Sequence, residues 1–171
     1  MPVDVWLERI FQHEGGLSMT STDPGNWTGG VVGNGLLKGT KYGIAANTYP
    51  DLQIRNLTRE QAAEIYVRDY LAPLKADKMP AGLVFSLLDF AVNSGPLRAI
   101  KRLQGELGVQ ADGHVGPVTL AAINARSESD LVMLLTASRL EFMAGLRNFD
   151  VSGKGWVLRL ARNLRYAAED T

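Results

Sequence analysis

The sequence predicts a mainly α fold interrupted by one irregular β element. Apolar residues recur at helical spacing near both ends of the 171-residue chain. Between them, from Leu17 to about Ala45, Gly, Thr and Asn dominate and no helical period survives. A loop of that length inside a compact domain is usually functional.

Val3, Trp6, Leu7, Ile10 and Phe11 give the first helix a single apolar stripe, and Pro2 suits its first turn. Gly15-Gly16 ends it, because glycine accepts the left-handed backbone that a helix end asks for. Within the loop, short strands are expected around Thr28 to Val32 and Leu36 to Thr40. Thr58-Arg59-Glu60-Gln61 has the form of a capping box and opens a helix through Tyr70, which Pro73 stops. Leu83, Leu87, Leu88 and Val92 mark a strongly apolar central helix ending near Asn93-Ser94-Gly95. Pro96 restarts another through Ile100, Leu103 and Leu107 to a Gly108 cap. Asp112-Gly113 is a turn signal, and Pro117 opens a short helix toward Asn124. Leu131 to Leu146 and Trp156 to Tyr166 are the last two helices.

The chain is long enough to bury a substantial core as one domain, with or without two lobes. Lys plus Arg (18) equals Asp plus Glu (18), which argues against nucleic acid as a partner. The balance hides a cluster: Arg147, Lys154, Arg159, Arg162 and Arg165 crowd the C-terminal segment. There Trp156, Leu160 and Leu164 recur every four positions, predicting that they pack while the cations stay solvated.

Cysteine is absent, so no disulfide framework exists and a reducing compartment is tolerated. Only His13 and His114 remain as soft ligands, far apart in the chain, and neither a metal site nor a cofactor is expected. Asp4, Glu8 and Arg9 interrupt any apolar run near the start. The expectation is therefore a protein without secretory signal or stable membrane insertion, accumulating in the cytoplasm, monomeric, and needing a separate route to any extracellular target.

The residues that carry chemistry lie at the first helix end and in the loop. Glu14 follows the apolar stripe and opens onto Gly15-Gly16. A carboxylate at a helix C-terminus faces the negative end of the macrodipole, at a cost of about a few tenths of a kcal/mol. That position is poor for stability and suitable for an acid at the edge of a cleft. Asp23 lies nine positions later and Thr28 five after that. A second carboxylate could stabilise a developing positive charge or activate water, and a hydroxyl could orient that water. Asp23 could equally form an Asx turn before Pro24-Gly25. Trp27 and Tyr42 are candidate aromatic platforms for a ligand, although Tyr42 could instead anchor a hairpin.

Two blocks of sequence resemble a known family. His13-Glu14-Gly15-Gly16, Asp23-Pro24-Gly25 and Gly39-Thr40-Lys41-Tyr42-Gly43-Ile44 match, in order, the Glu-Gly-Gly and Thr-x-x-Gly-Ile signatures of the N-acetylmuramidases of glycoside hydrolase family 108. The family pattern runs roughly Asp-Pro-Gly-Gly-x-Thr-x-x-Gly-Ile; here an insertion, Asn26 to Lys38, separates Asp23-Pro24-Gly25 from Gly39-Thr40. Thr40 is the match by motif and Thr28 by spacing, which is similar to the Glu, Asp, Thr arrangement of phage-type lysozymes. The motif favours Thr40. The second block, Asp89-Phe90-Ala91-Val92-Asn93-Ser94-Gly95, Leu103-Gln104, Leu107-Gly108 and Asp112-Gly113-x-x-Gly116-Pro117-x-Thr119, looks like the peptidoglycan-binding segment that accompanies this family. Asp89 and Asn93 are polar residues one turn apart on an apolar helix. They either anchor hydrogen bonds in the core or hold an N-acetyl group or the glycan backbone.

The resemblance implies a lysozyme-like, two-lobed fold, with a catalytic lobe over residues 1–75 and a helical lobe over 76–171. It implies hydrolysis of the β-1,4 bond between N-acetylmuramic acid and N-acetylglucosamine in peptidoglycan glycan strands, with Glu14 as acid, Asp23 as second carboxylate and Thr40 positioning water. A phage endolysin released by a holin, or a bacterial lysin, would fit. Two alternatives stay open: a lytic transglycosylase, which needs one acid only, and a wall-binding protein without chemistry.

Overall fold

The computed structural model describes residues 3–170. Pro2, expected in the first helical turn, lies outside the described residues. The architecture is mainly α with one two-stranded antiparallel sheet. The chain folds as two compact units, one through Val67 and one from Arg68; the sequence suggests a division near residues 75 and 76.

The first unit contains α1 (Val3–His13), a 3-10 turn (Pro24–Asn26), β1 (Thr40–Lys41), β2 (Ile44–Ala45), a second 3-10 turn (Ile54–Asn56) and α2 (Arg59–Tyr66). Trp6, Leu7 and Ile10 of the α1 stripe are buried, as are Ile44, Ile54, Leu57, Ile65 and Tyr66. Thr58 caps α2 by accepting from the Gln61 amide while the Gln61 side chain accepts from the Thr58 amide, so the capping box forms as its residues predict. Arg59 ion-pairs with Glu8, and its guanidinium lies 4.8 Å from the Phe11 ring centroid.

The strands lie later than expected. Thr28 to Val32 and Leu36 to Thr40 do not pair as strands. Trp27 and Leu37 form an isolated bridge, and the regular ladder is Thr40 with Ala45 and Lys41 with Ile44. The reason is turn chemistry. Tyr42 (φ 52°) and Gly43 (φ 76°) both take the left-handed backbone that a two-residue type I′ hairpin demands.

The second unit is helical. A π-helical stretch (Val67–Leu71) and α3 (Ala72–Leu74) continue from α2, so the helix does not stop cleanly at Pro73, which sits in the first turn of α3, where its missing N–H costs nothing. Then come a 3-10 turn (Ala76–Lys78), α4 (Ala81–Ser94), α5 (Pro96–Leu107), α6 (Pro117–Asn124), α7 (Glu128–Ala144) and α8 (Phe149–Asp170). The central helix α4 is buried on nearly every side from Gly82 to Ala91. Gly82 permits a close approach of α8: a β-carbon there would sit 3.2 Å from the Ala167 carbonyl oxygen. α5 starts at Pro96 and ends at Gly108 (φ 71°), and α6 starts at Pro117, as their punctuation predicts. α8 begins before Trp156 and extends beyond Tyr166. Its Leu160 is buried, but Leu164 is 40% exposed, which corrects the expectation that Leu164 packs. No described helix is long and apolar enough to cross a membrane.

Candidate active site

Glu14 leaves α1 with its amide still bonded to the Ile10 carbonyl (3.0 Å), so the last helical turn fixes its backbone. Its half-buried side chain lies against the hairpin turn. A β-carbon on Gly43 would meet the Glu14 Cγ at 2.9 Å and the carboxyl carbon at 3.1 Å, and would collide with the Tyr66 hydroxyl. Glycine at this position therefore has two physical requirements, the positive φ and the close approach. The Tyr66 hydroxyl donates to the Tyr42 carbonyl (2.9 Å), and the Phe11 ring stands edge-on to both Tyr42 and Tyr66, each at 5.8 Å. These contacts hold Tyr42 in a conformation that a side-chain-bearing residue adopts at a cost. Tyr42 thus anchors the hairpin. Sequence reading missed Tyr66, for it lies 24 positions from its partner and carries no local motif.

Thr40 opens the same hairpin. Its backbone exchanges both hydrogen bonds with Ser18 (2.8 and 2.9 Å), and its hydroxyl donates to Asn26 Oδ1 (2.6 Å). Asn26 is fully buried. Its amide nitrogen donates to the Thr20 carbonyl (2.9 Å), while its own carbonyl accepts from the Lys38 and Gly39 amides, each at 3.0 Å. Asn26 is therefore the hub that joins the Asp23-Pro24-Gly25 segment to Thr40 across the insertion. Sequence reading missed it too, placing Asn26 only as the first residue of that insertion.

Asp23 is exposed and caps the short 3-10 turn, with Oδ1 accepting from the Gly25 amide (2.9 Å). The Asx turn is thus formed. The Gly25 carbonyl accepts from the Asn47 amide (3.1 Å), just beyond β2. Glu14 at the turn, Thr40 at the base and Asp23 through Gly25 and Asn26 are all tied to one hairpin. Thr28 is committed elsewhere: its hydroxyl oxygen accepts from the Leu36 amide (2.9 Å), closing the inserted loop. Trp27 is half-buried, and its ring N–H donates to the Ser21 carbonyl (2.8 Å).

Asp89 and Asn93 belong to the second unit. Asp89 is fully buried and bonded to Arg139 (2.7 Å), to Arg159 (2.7 and 2.9 Å) and to the Asn163 amide. Burial pushes its carboxyl up, but the charges and hydrogen bonds of Arg139 and Arg159 together outweigh burial and hold it below the ordinary aspartate range. Arg139 is drawn below its own ordinary value by burial, with Asp89 opposing. A carboxylate so enclosed presents nothing to a glycan. Of the two roles open to Asp89, the core anchor is the one its geometry fits, and the expectation that it contacts sugar is corrected. Arg159 is corrected with it: it is a partner of a buried ion pair rather than a solvated cation. Asn93 is exposed, and its amide nitrogen turns back to the Asp89 carbonyl (2.8 Å).

The comparisons with known proteins agree with this architecture. The model of the family described as glycosyl hydrolase 108 matches residues 7–95, which include the whole hairpin and Glu14. The chain belongs to glycosyl hydrolase family 108. A second model, described as a predicted peptidoglycan domain, matches residues 97–161. The structure is similar to that of SagA from Brucella abortus, with a TM-score of 0.85 and 32% identity over 98% of this chain and 94% of that one. No curated protein matches the chain. Family 108 membership together with the peptidoglycan segment makes this protein a glycoside hydrolase acting on peptidoglycan.

Proposed function

We propose that this family 108 hydrolase is an N-acetylmuramidase that cleaves the β-1,4 bond from N-acetylmuramic acid to N-acetylglucosamine, with Glu14 as the general acid. The observation that carries the reading is the seating of the Glu14 carboxyl against Gly43, at the end of a helix and on a hairpin turn that the Tyr66 hydroxyl also holds. A positioned acid must be held on rigid supports, and this one has a helix terminus on one side and a strained, aromatic-backed turn on the other. In the proposed reaction Glu14 donates its proton to the leaving glycosidic oxygen. Asp23 stabilises the developing positive charge or activates water, and Thr40 orients that water. Trp27 offers a half-exposed ring for stacking on a pyranose face.

The Asp23 side chain also supports a second reading. Its carboxylate is engaged in an Asx turn, and a lytic transglycosylase needs only the one acid, closing an anhydro ring in place of admitting water. Mass spectrometry of products from purified peptidoglycan decides between them. Reducing-end N-acetylmuramic acid is expected; 1,6-anhydromuramic ends would exclude hydrolysis.

A cysteine-free chain folds in a reducing compartment. This suits a monomeric phage endolysin that accumulates in the host cytoplasm and reaches the wall once a holin opens the membrane. Expression with and without a holin tests that route, with lysis expected only in its presence.

A further inference from the structure

We propose that the groove at the start of α5, formed by Ser94, Leu97, Arg98, Lys101 and Arg102 of the second unit, binds the carboxylates of the peptidoglycan stem peptide. The groove has a volume of about 470 Å³, within the range of small-ligand sites. Three cations line it and no carboxylate does. No carboxylate among the described residues lies at ion-pair distance from Arg98, Lys101 or Arg102. By contrast, Arg59, Arg68, Arg139 and Arg159 each have a carboxylate partner. The chain as a whole is neutral, so three uncompensated cations in one concavity are a local excess.

The cations are also held in place. The Arg98 and Arg102 guanidinium carbons lie 5.1 and 5.4 Å from the ring centroid of Phe142, an arrangement that orients both planar forks without neutralising them. The Lys101 stem lies against the Asp112-Gly113 turn, where a β-carbon on Gly113 would sit 3.3 Å from its Cε. Oriented arginines favour planar carboxylates, which they bind through paired hydrogen bonds. Pro96 and the 55% exposed Leu97 add an apolar wall suited to alanine methyl groups. A stem peptide has this combination, with several free carboxylates along a short chain of small residues. A glycan backbone does not.

The inference rests on peptidoglycan being the substrate, and its test reads binding apart from cleavage. The full chain is titrated, with amide NMR signals as the readout, against the tetrapeptide L-alanyl-γ-D-glutamyl-meso-diaminopimelyl-D-alanine, against the same peptide with amidated carboxylates, and against inorganic phosphate. The tetrapeptide is expected to shift the signals of residues 94–102. Its affinity should fall at least tenfold in the triple variant Arg98→Gln, Lys101→Gln, Arg102→Gln, and equally on amidation. The Arg98→Lys, Arg102→Lys variant keeps the charge and should fall between. On stem-bearing wall the triple variant should raise KM with kcat held, and on glycan stripped of stems it should match the native protein. No shift with the tetrapeptide, an unchanged affinity in a folded triple variant, or binding of phosphate alone would overturn the proposal. A chain that binds the tetrapeptide here but yields no muramic reducing ends would retain this site while refuting the proposed bond cleavage. Cleavage without binding would do the reverse.

Discussion

The carboxyl carbon of Glu14 lies 3.1 Å from the point where a β-carbon on Gly43 would sit, although 29 positions of chain separate the two residues. The contact joins the end of α1 to the Tyr42-Gly43 turn and sets where an acid can point. It gives the glycine of the Thr-x-x-Gly-Ile motif a physical reason.

Glu14→Gln should fold as the native protein does and lose a hundredfold or more in turnover, since a positioned acid contributes about 10²–10⁴-fold. Clearing of purified sacculi with a matched thermal melt is the measurement. Residual clearing above a tenth of the native rate would remove Glu14 from the acid role.

Gly43→Ala places a methyl group against Glu14 and the Tyr66 hydroxyl on a backbone of φ 76°. The expected cost is about 1–3 kcal/mol of stability for the strained conformation, together with a marked fall in activity from the displaced carboxyl. Tyr66→Phe removes the hydrogen bond to the Tyr42 carbonyl but leaves the turn room, so its melting point should fall less than that of Gly43→Ala. Urea unfolding of both variants ranks them, and a reversed ranking would mean that the hydroxyl, rather than the space, organises the turn.

Asp23→Ala and Thr40→Ala should each reduce rate strongly, with Thr28→Ala milder. Thr40 stands on the hairpin beside Asn26, whereas Thr28 closes the inserted loop through the Leu36 amide. Initial rates on purified peptidoglycan give the order. A larger loss for Thr28→Ala than for Thr40→Ala would place the reacting water by the insertion.

The Asp89 cluster predicts an acid limb. Asp89 is held below its ordinary value in the folded chain, so the stability it contributes is complete above the unfolded aspartate value of about 3.9. That stability is lost as pH falls through the lower folded value. Asp112 is lowered in the same direction, chiefly by the His114 amide and the Gln104 side chain, but it is exposed. Asp89→Asn should therefore remove part of the loss of unfolding free energy between pH 7 and pH 3, the part that falls below about pH 3.9. At pH 7 it should cost about 3–5 kcal/mol, because the buried Arg139 is left without the carboxylate it pairs with. Denaturant titrations at both pH values test the sign and the size. Arg162→Gln and Arg165→Gln, both exposed, should leave the melt unchanged, whereas Arg159→Gln should lower it.

Sequence alone determined the features that depend on neighbours along the chain. The capping box at Thr58 and Gln61, the proline starts of α5 and α6 and the Gly108 cap are each closed by hydrogen bonds or backbone preferences spanning a few residues. The family motifs were legible for the same reason, being short runs in a fixed order. Tertiary structure decided whatever depended on distant partners. Asp89 became a core anchor because Arg139, Arg159 and Asn163 reach it from 50, 70 and 74 positions away. Tyr66 and Asn26 entered the site through contacts across 24 and 14 positions. Periodicity reports which face of a helix is apolar, but a polar residue on that face has no meaning until its partner is in place. A buried carboxylate and a ligand-binding one look the same in one dimension, and only packing determines whether a counter-ion or water meets the charge.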